Sequence, residues 1–421
     1  MYDPYASLQT IVLPNGLTIH CNHIPNKPQY FSFIVHSGSA QDPVALKGLA
    51  HFVEHMVFHC SELSELELQN FFLEASGTRK LAAWTSPQST WFTFAVPLND
   101  QIIQRALNLC GQILMDAKFS DHIETERSII IQEFRGKYSE SKYKEFCQRN
   151  NHLYGDSLYG NNLGDLESIA KISQLDLQNF YDEHYTPANI SVLCVGGMGQ
   201  NALIDMFTNS PFSQSKEGKR FLLPYSSFTN HPGENTIYVE YKEDATASRY
   251  NWAAKIPSSF SDASVEIMTA ILQKLLFAEL RTKRQWIYDL SELYISFSGA
   301  FYELSFSFNF KASVTFDEID NLVQSTISSV AESDSLFNTV KKGRIKYFDM
   351  LDASAYDIFD SLHHLLKVYH KTSTLTERKQ TIENITFSDI TKILPYLDEK
   401  LRWTIAKVSE ANLKSKPLVT N

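Results

Sequence analysis

The sequence predicts an α+β protein made of two tandem homologous domains, each a mostly antiparallel sheet packed with helices. Three observations carry this expectation. A chain of 421 residues is long enough for two or three cores. Stretches of period-2 alternation, expected of half-buried strands, are interleaved with stretches of helical period. The order of these stretches is also written twice, as in a duplicated unit.

In the first copy, LTIHCNHIP and YFSFIVHSGS read as strands and residues 46–59 as a helix. STWFTFAVP alternates as a strand, and DQIIQRALNLCGQILMDA follows as an amphipathic helix. In the second copy, NTIYVEYKE, RYNWAAKIP, ASVEIMTAILQKLLFAELRTKR, YELSFSFNFKA and FDEIDNLVQSTISSVAE take the equivalent places. Each copy closes with a helix and a strand, SQLDLQNFYDEHYTPANISVLCVGG and TFSDITKILPYLDEKLRWTIAKV. In both closings a Ser or Thr precedes an acidic first turn, as a helix N-terminus requires. Between the copies lies a stretch rich in Ser, Pro and Gly. The expected domains are therefore 1–210 and 236–421, joined by a linker at 211–235.

Composition narrows the function. A hydrophobic share of 43% with 20% charged residues is an ordinary globular balance, which excludes a disordered or fibrous chain. A net charge of -10 argues against a general nucleic-acid binder, which needs a basic footprint. Cys21, Cys60, Cys110, Cys147 and Cys194 are scattered without a C-x-x-C pair, so free thiols are expected rather than a disulfide framework. The start MYDPYASLQTIVLPNG lacks a basic segment followed by an apolar one, and no apolar run approaches the roughly 18 residues that span a bilayer. The expectation is a soluble, cytoplasmic protein that uses no membrane.

The stretch GLAHFVEHMVFHC carries the chemistry. His51 and His55 are four apart, so on a helix they share a face and can ligate one metal ion. Glu54 lies beside His55, close to such an ion without having to be a ligand, where a general base belongs. This is the H-x-x-E-H order, the inverse of H-E-x-x-H. Histidines on an apolar face are also found as core residues, and spacing alone leaves both readings open. A catalytic zinc asks for a third protein ligand. In DHIETERSIIIQEFRGKY, Glu126 and Glu133 are two helical turns apart on one face, with Ile129 and Ile130 between them. The two carboxylates either serve a metal, pair with Arg127 or Arg135, or lie on a solvated face.

These segments resemble the pitrilysin, insulin-degrading enzyme and mitochondrial processing peptidase family of inverzincin zinc metallopeptidases. GLAHFVEHMVFH is similar to that family's zinc helix, and ETERSIIIQEFR to the helix that carries its third ligand. The resemblance implies one Zn²⁺ per chain held by His51, His55 and Glu133, with Glu54 as catalytic base and Glu126 as a supporting carboxylate. LFAELRTKRQWIYDLS resembles a family segment whose arginine and tyrosine hold the substrate near the scissile bond, here Arg281 and Tyr288. The family's substrate-pairing edge strand corresponds to GTRKLAAWTS, which implies Ala82, Ala83, Trp84 and Thr85 as substrate-binding residues. Ala82 stands where the family commonly has an asparagine, a departure that bears on substrate clamping. His59 is also unusual at its position and is expected past the metal.

The fold implied is half of a clamshell chamber. Full-length relatives carry four such domains, whereas this chain carries two, which implies a homodimer or a heterodimer with a related subunit. The implied function is zinc-dependent endopeptidase action on peptides or unfolded segments, with a peptide as substrate and peptide processing or maturation as a role. The alternatives are a non-catalytic, substrate-presenting subunit of a related heterodimeric peptidase, and a metal-dependent binding module.

Overall fold

The computed structural model describes residues 3–77, 80–154, 162–214, 216, 218–221, 236–240, 248–290, 293–297, 301–311, 313–350, 354–397 and 402–408. The first of its two compact units comprises Met1–Lys137, Ser157–Pro224 and Asp352–Leu375. The second comprises Tyr138–Asp156, Tyr225–Leu351 and Thr376–Asn421.

The first unit is built on six strands: β1 (Gln9–Val12), β2 (Thr18–His23), β3 (Gln29–Val35), β4 (Ala82–Thr85), β5 (Thr90–Val96) and β6 (Ile190–Gly196), in the order β1-β2-β6-β3-β5-β4. Only β2 and β6 run parallel; the other neighbours are antiparallel. β6 is buried along its whole length, as its continuous apolar run requires. Alternation sends Phe31, Phe33, Phe92 and Phe94 to one face, where they share a core with α1 (Leu49–Val57), α2 (Glu65–Ser76) and α3 (Asp100–Met115). A further helix, α4 (Ile123–Lys137), packs against α1.

The second unit repeats the plan with β7 (Thr236–Glu240), β8 (Ser248–Pro257), β9 (Tyr294–Phe297), β10 (Phe301–Phe310) and β11 (Arg402–Val408), in the order β7-β11-β8-β10-β9. In both sheets the last strand is inserted between two earlier consecutive strands, β6 between β2 and β3 and β11 between β7 and β8, parallel to the first of each pair and antiparallel to the second. The duplication expected from the sequence is therefore present as shared topology. Tyr250, Trp252, Phe306 and Phe308 stack in the second core, with ring centroids 4.9 Å apart for Trp252 and Phe306.

The units do not divide at a single linker, as the expected boundaries at 210 and 236 supposed. Helix Glu140–Tyr154 belongs to the second unit and helix Ala355–Tyr369 to the first. The physical reason lies in the latter's stripe of Ile358, Phe359, Leu362 and Leu366, which is buried against the face of the first sheet opposite α1. There Phe359 meets Tyr30 with ring centroids 5.5 Å apart, and His363 Nδ1 lies 2.9 Å from Ser32 Oγ. Residues 222–235 of the expected linker lie outside the described residues. Among the described residues no helix is long and apolar enough to cross a membrane.

Burial, with the charges of Lys367 and His364, lowers His363 from 6.5 to about 3. A folded-state pKa below the unfolded value stabilises the fold fully above pH 6.5 and progressively less as pH falls toward 3. At pH 5 this one ring costs about 2 kcal/mol relative to pH 8. The difference in unfolding free energy between wild type and His363→Asn, from urea titrations, is expected to shift by about that amount in favour of the variant between pH 8 and pH 5.

Candidate metal centre

The helix that carries the histidines is fixed at its start. Gly48, its N-cap, has φ +93°, and a Cβ there would stand 2.9 Å from the carbonyl oxygen of Leu163. A side chain is excluded both by the left-handed backbone and by this approach. With no side chain at the cap, Asp42 supplies the acceptor: its carboxylate takes hydrogen bonds from the Gly48 and Ala50 N–H groups at 2.7 and 2.8 Å. Nothing in the sequence pattern marks Asp42 for this part, since it sits outside the helix and outside any capping motif.

From this start, α1 presents His51 and His55 to α4, with ring centroids 4.7 Å apart. Glu133 Oε2 lies 3.6 Å from His51 Nε2 and 3.7 Å from His55 Nε2. The three groups could together hold a metal ion, their ligand atoms all lying within 4.8 Å of one another. Tetrahedral ligands about 2.0–2.2 Å from a zinc ion are roughly 3.3–3.6 Å apart, so these separations need little adjustment. Burial, then the neighbouring His55, lowers His51 to about 4 and keeps its ring neutral. Its Nδ1 is buried without a hydrogen-bond partner among the described residues, and the ring's polar contact to Glu133 is made by Nε2.

Glu126 is buried and orients His55. Its Oε2 lies 2.9 Å from His55 Nδ1, which fixes the proton on Nδ1 and leaves Nε2 free to ligate. Its Oε1 lies 3.0 Å from His59 Nε2. Burial opposes the charge on Glu126, but the two histidines outweigh it and hold the carboxylate down at about 2. On His55, burial is likewise outweighed by Glu126, Glu133 and Glu54, which raise it to about 9; metal binding must displace that proton. The alternative of arginine pairing is closed for Arg127, which pairs with Glu124 and donates to the carbonyls of Ile169 and Ile172. One expectation needs correction: Ile130 is fully buried between the two carboxylates, but Ile129 is 43% exposed and lies off that face.

Glu54 is buried, and burial raises it to about 7 against the pull of its bond to Thr85. That bond, from Thr85 Oγ1 to Glu54 Oε2, is 2.7 Å long and ties the carboxylate to β4. β4 consists of Ala82, Ala83, Trp84 and Thr85, and is the edge of its sheet, paired on one side to β5. Alternation puts Ala83 and Thr85 on the α1 face, and Ala82 and Trp84 on the other, where Trp84 is 54% exposed.

Residues 20–164 match the family model described as Insulinase (Peptidase family M16), and residues 171–343 match the one described as Peptidase M16 inactive domain. The chain belongs to the M16 peptidase family. It is 26% identical over 223 residues to the mitochondrial-processing peptidase subunit beta of Caenorhabditis elegans, covering 50% of this chain and 46% of that protein. It is 25% identical over 295 residues to the probable zinc protease PqqL of Haemophilus influenzae, covering 67% of this chain and 31% of that protein. The match thus spans less than half the length of either relative. Among solved structures, a protease from Helicobacter pylori superposes with a TM-score of 0.82 at 17% identity, over 97% of this chain and all of that one. The periplasmic protease PqqL from Escherichia coli gives 0.82 at 16%, over all of this chain and 49% of that one. These two likenesses show that the M16 fold is shared.

Two further residues singled out in this M16 chain lie in the second unit. Arg281 sits in a π-helical turn, Ala278–Lys283, that ends helix Asp262–Phe277. Its guanidinium carbon stands 5.6 Å from the centroid of the Tyr288 ring, and Tyr288 is 88% exposed. The structure therefore brings Arg281 and Tyr288 together, as it does His51, His55, Glu126 and Glu133.

Proposed function

We propose that this chain is a zinc-dependent endopeptidase acting on peptides or unfolded segments. The observation that carries the reading is the convergence of His51 Nε2, His55 Nε2 and Glu133 Oε2 beside Glu54, a buried carboxylate outside that cluster. Two imidazoles and a carboxylate suit zinc and leave a fourth position for water. When bound, zinc would lower the pKa of that water toward neutrality and polarise the scissile carbonyl. Glu54, held by Thr85, takes the proton and delivers it to the leaving amine; its own value of about 7 suits a base at neutral pH. The free side of β4 accepts an extended peptide as an added strand, a mode that selects backbone rather than sequence.

Arg281 and Tyr288 are proposed to hold the substrate, within a dimer that encloses a chamber. In it the zinc site of one protomer works with the partner subunit's Arg281 and Tyr288. A homodimer and a heterodimer with a related subunit both satisfy this, and the name of the Caenorhabditis elegans relative, a subunit beta, favours keeping the second. Peptide processing fits the same relative's name. The five free cysteines fit a reducing, cytoplasmic setting.

The test is cleavage of a mixed quenched-peptide library by the purified protein. Hydrolysis that a chelator stops and zinc restores is expected; hydrolysis indifferent to chelation contradicts the proposal. The support given by Glu126 is tested separately. Glu126→Gln is expected to weaken zinc binding about 10–100-fold, measured by competition with a chromogenic chelator.

A further inference from the structure

His55 takes up only one oxygen of Glu126. The other, Oε1, faces His59 Nε2 at 3.0 Å, and His59 Nε2 lies 3.8 Å from Glu65 Oε2. These three ligand atoms, like those of the first cluster, lie within 4.8 Å of one another. These two separations bracket the roughly 3.3–3.6 Å expected between tetrahedral ligands of a first-row ion. We infer that His59, Glu65 and Glu126 form a second divalent-metal site, next to the first and sharing Glu126 with it.

The three side chains come from three separate elements of the first unit. His59 follows the end of α1, Glu65 opens α2, and Glu126 lies in the first turn of α4. His59 is further held by a parallel stack on His122, with ring centroids 4.4 Å apart and planes 10° from parallel. Preset ligands of this kind lower the ordering cost of binding an ion. Two carboxylates facing one imidazole leave a net negative site, which a dication neutralises. The mixed nitrogen and oxygen set suits Zn²⁺, Co²⁺ or Mn²⁺ and disfavours Ca²⁺ and Mg²⁺, which take oxygen ligands. The Glu65 side chain is half exposed, which gives the ion a path to and from solvent. Occupancy would then depend on the free metal concentration.

One consequence rests on the zinc-peptidase reading. An ion on Glu126 Oε1 draws charge away from Oε2 and so weakens its hold on the His55 Nδ1 proton. Excess metal would therefore loosen the first site through their shared carboxylate.

The experiment is a count of Zn²⁺ bound per folded chain by equilibrium dialysis across free zinc concentrations. It uses wild type, Glu65→Ala, His59→Gln and His51→Ala. Wild type is expected to bind two ions with separated affinities. Glu65→Ala and His59→Gln should weaken the second at least tenfold and retain the first; His51→Ala should lose the first and retain the second. A single wild-type ion that persists in Glu65→Ala and His59→Gln overturns the inference, as does a second ion indifferent to both. A single ion that survives in His51→Ala and vanishes in His59→Gln instead supports the second site and removes the first. Glu65 is half exposed at a helix start, so its variant tests the site without risk to the core.

Discussion

Glu54→Gln is expected to lower kcat for peptide hydrolysis by about 10²–10⁴-fold while bound zinc stays at the wild-type level. The substitution keeps the side chain's size and an acceptor for the Thr85 hydroxyl. It removes only the ability to take a proton. Glu54 is buried beside His55 and raised to about 7 by that burial, so it can shuttle a proton near neutral pH at little cost. Because the group acts in the chemical step, kcat should fall and KM should change little. Steady-state kinetics with metal analysis of the same sample decides the matter. Loss of zinc together with turnover would make Glu54 a ligand instead of a base, and unchanged turnover would leave the chain without a role for it.

Glu133→Gln is expected to do the reverse, lowering zinc affinity by more than about 10²-fold. Removing an outer partner of a ligating histidine already costs about 10–100-fold, and loss of a charged ligand must exceed it. His51 and His55 sit on consecutive turns of one helix and can supply only two of the three protein ligands that a catalytic zinc asks for. Glu133 comes from α4, and its side chain is 45% exposed, so the variant removes a charge without opening a cavity. Excess zinc should restore part of the turnover of Glu133→Gln and none of that of Glu54→Gln. A Glu133→Gln protein that retains zinc through stringent dialysis would place the third ligand elsewhere.

Much of the first unit is legible in the sequence because its strands alternate cleanly and its helices are amphipathic. The insertion of β6 between β2 and β3 is not, since periodicity fixes which face of a strand is buried and says nothing about its neighbours. Helix Ala355–Tyr369 shows the same limit: its apolar stripe announces burial without naming the sheet that supplies it. At the metal cluster, His51 and His55 could be paired from helical spacing alone. Glu133 could not, because many carboxylates share a face with something apolar, and family resemblance singled it out. The environment of Ile129 was misplaced by assuming a wide buried face on a helix whose buried stripe holds only Glu126, Ile130 and Phe134. Asp42 and Glu65 left no signal, since each acts across a loop on an element that its local sequence does not specify.

His51, His55 and Glu133 are proposed to hold a zinc ion. Anomalous diffraction at the zinc edge, from crystals of the zinc-loaded protein, tests it most directly. A peak is expected about 2.0–2.2 Å from His51 Nε2, His55 Nε2 and a Glu133 oxygen, with Glu54 outside bonding distance. A protein that contains zinc but shows no peak among these three side chains would contradict it.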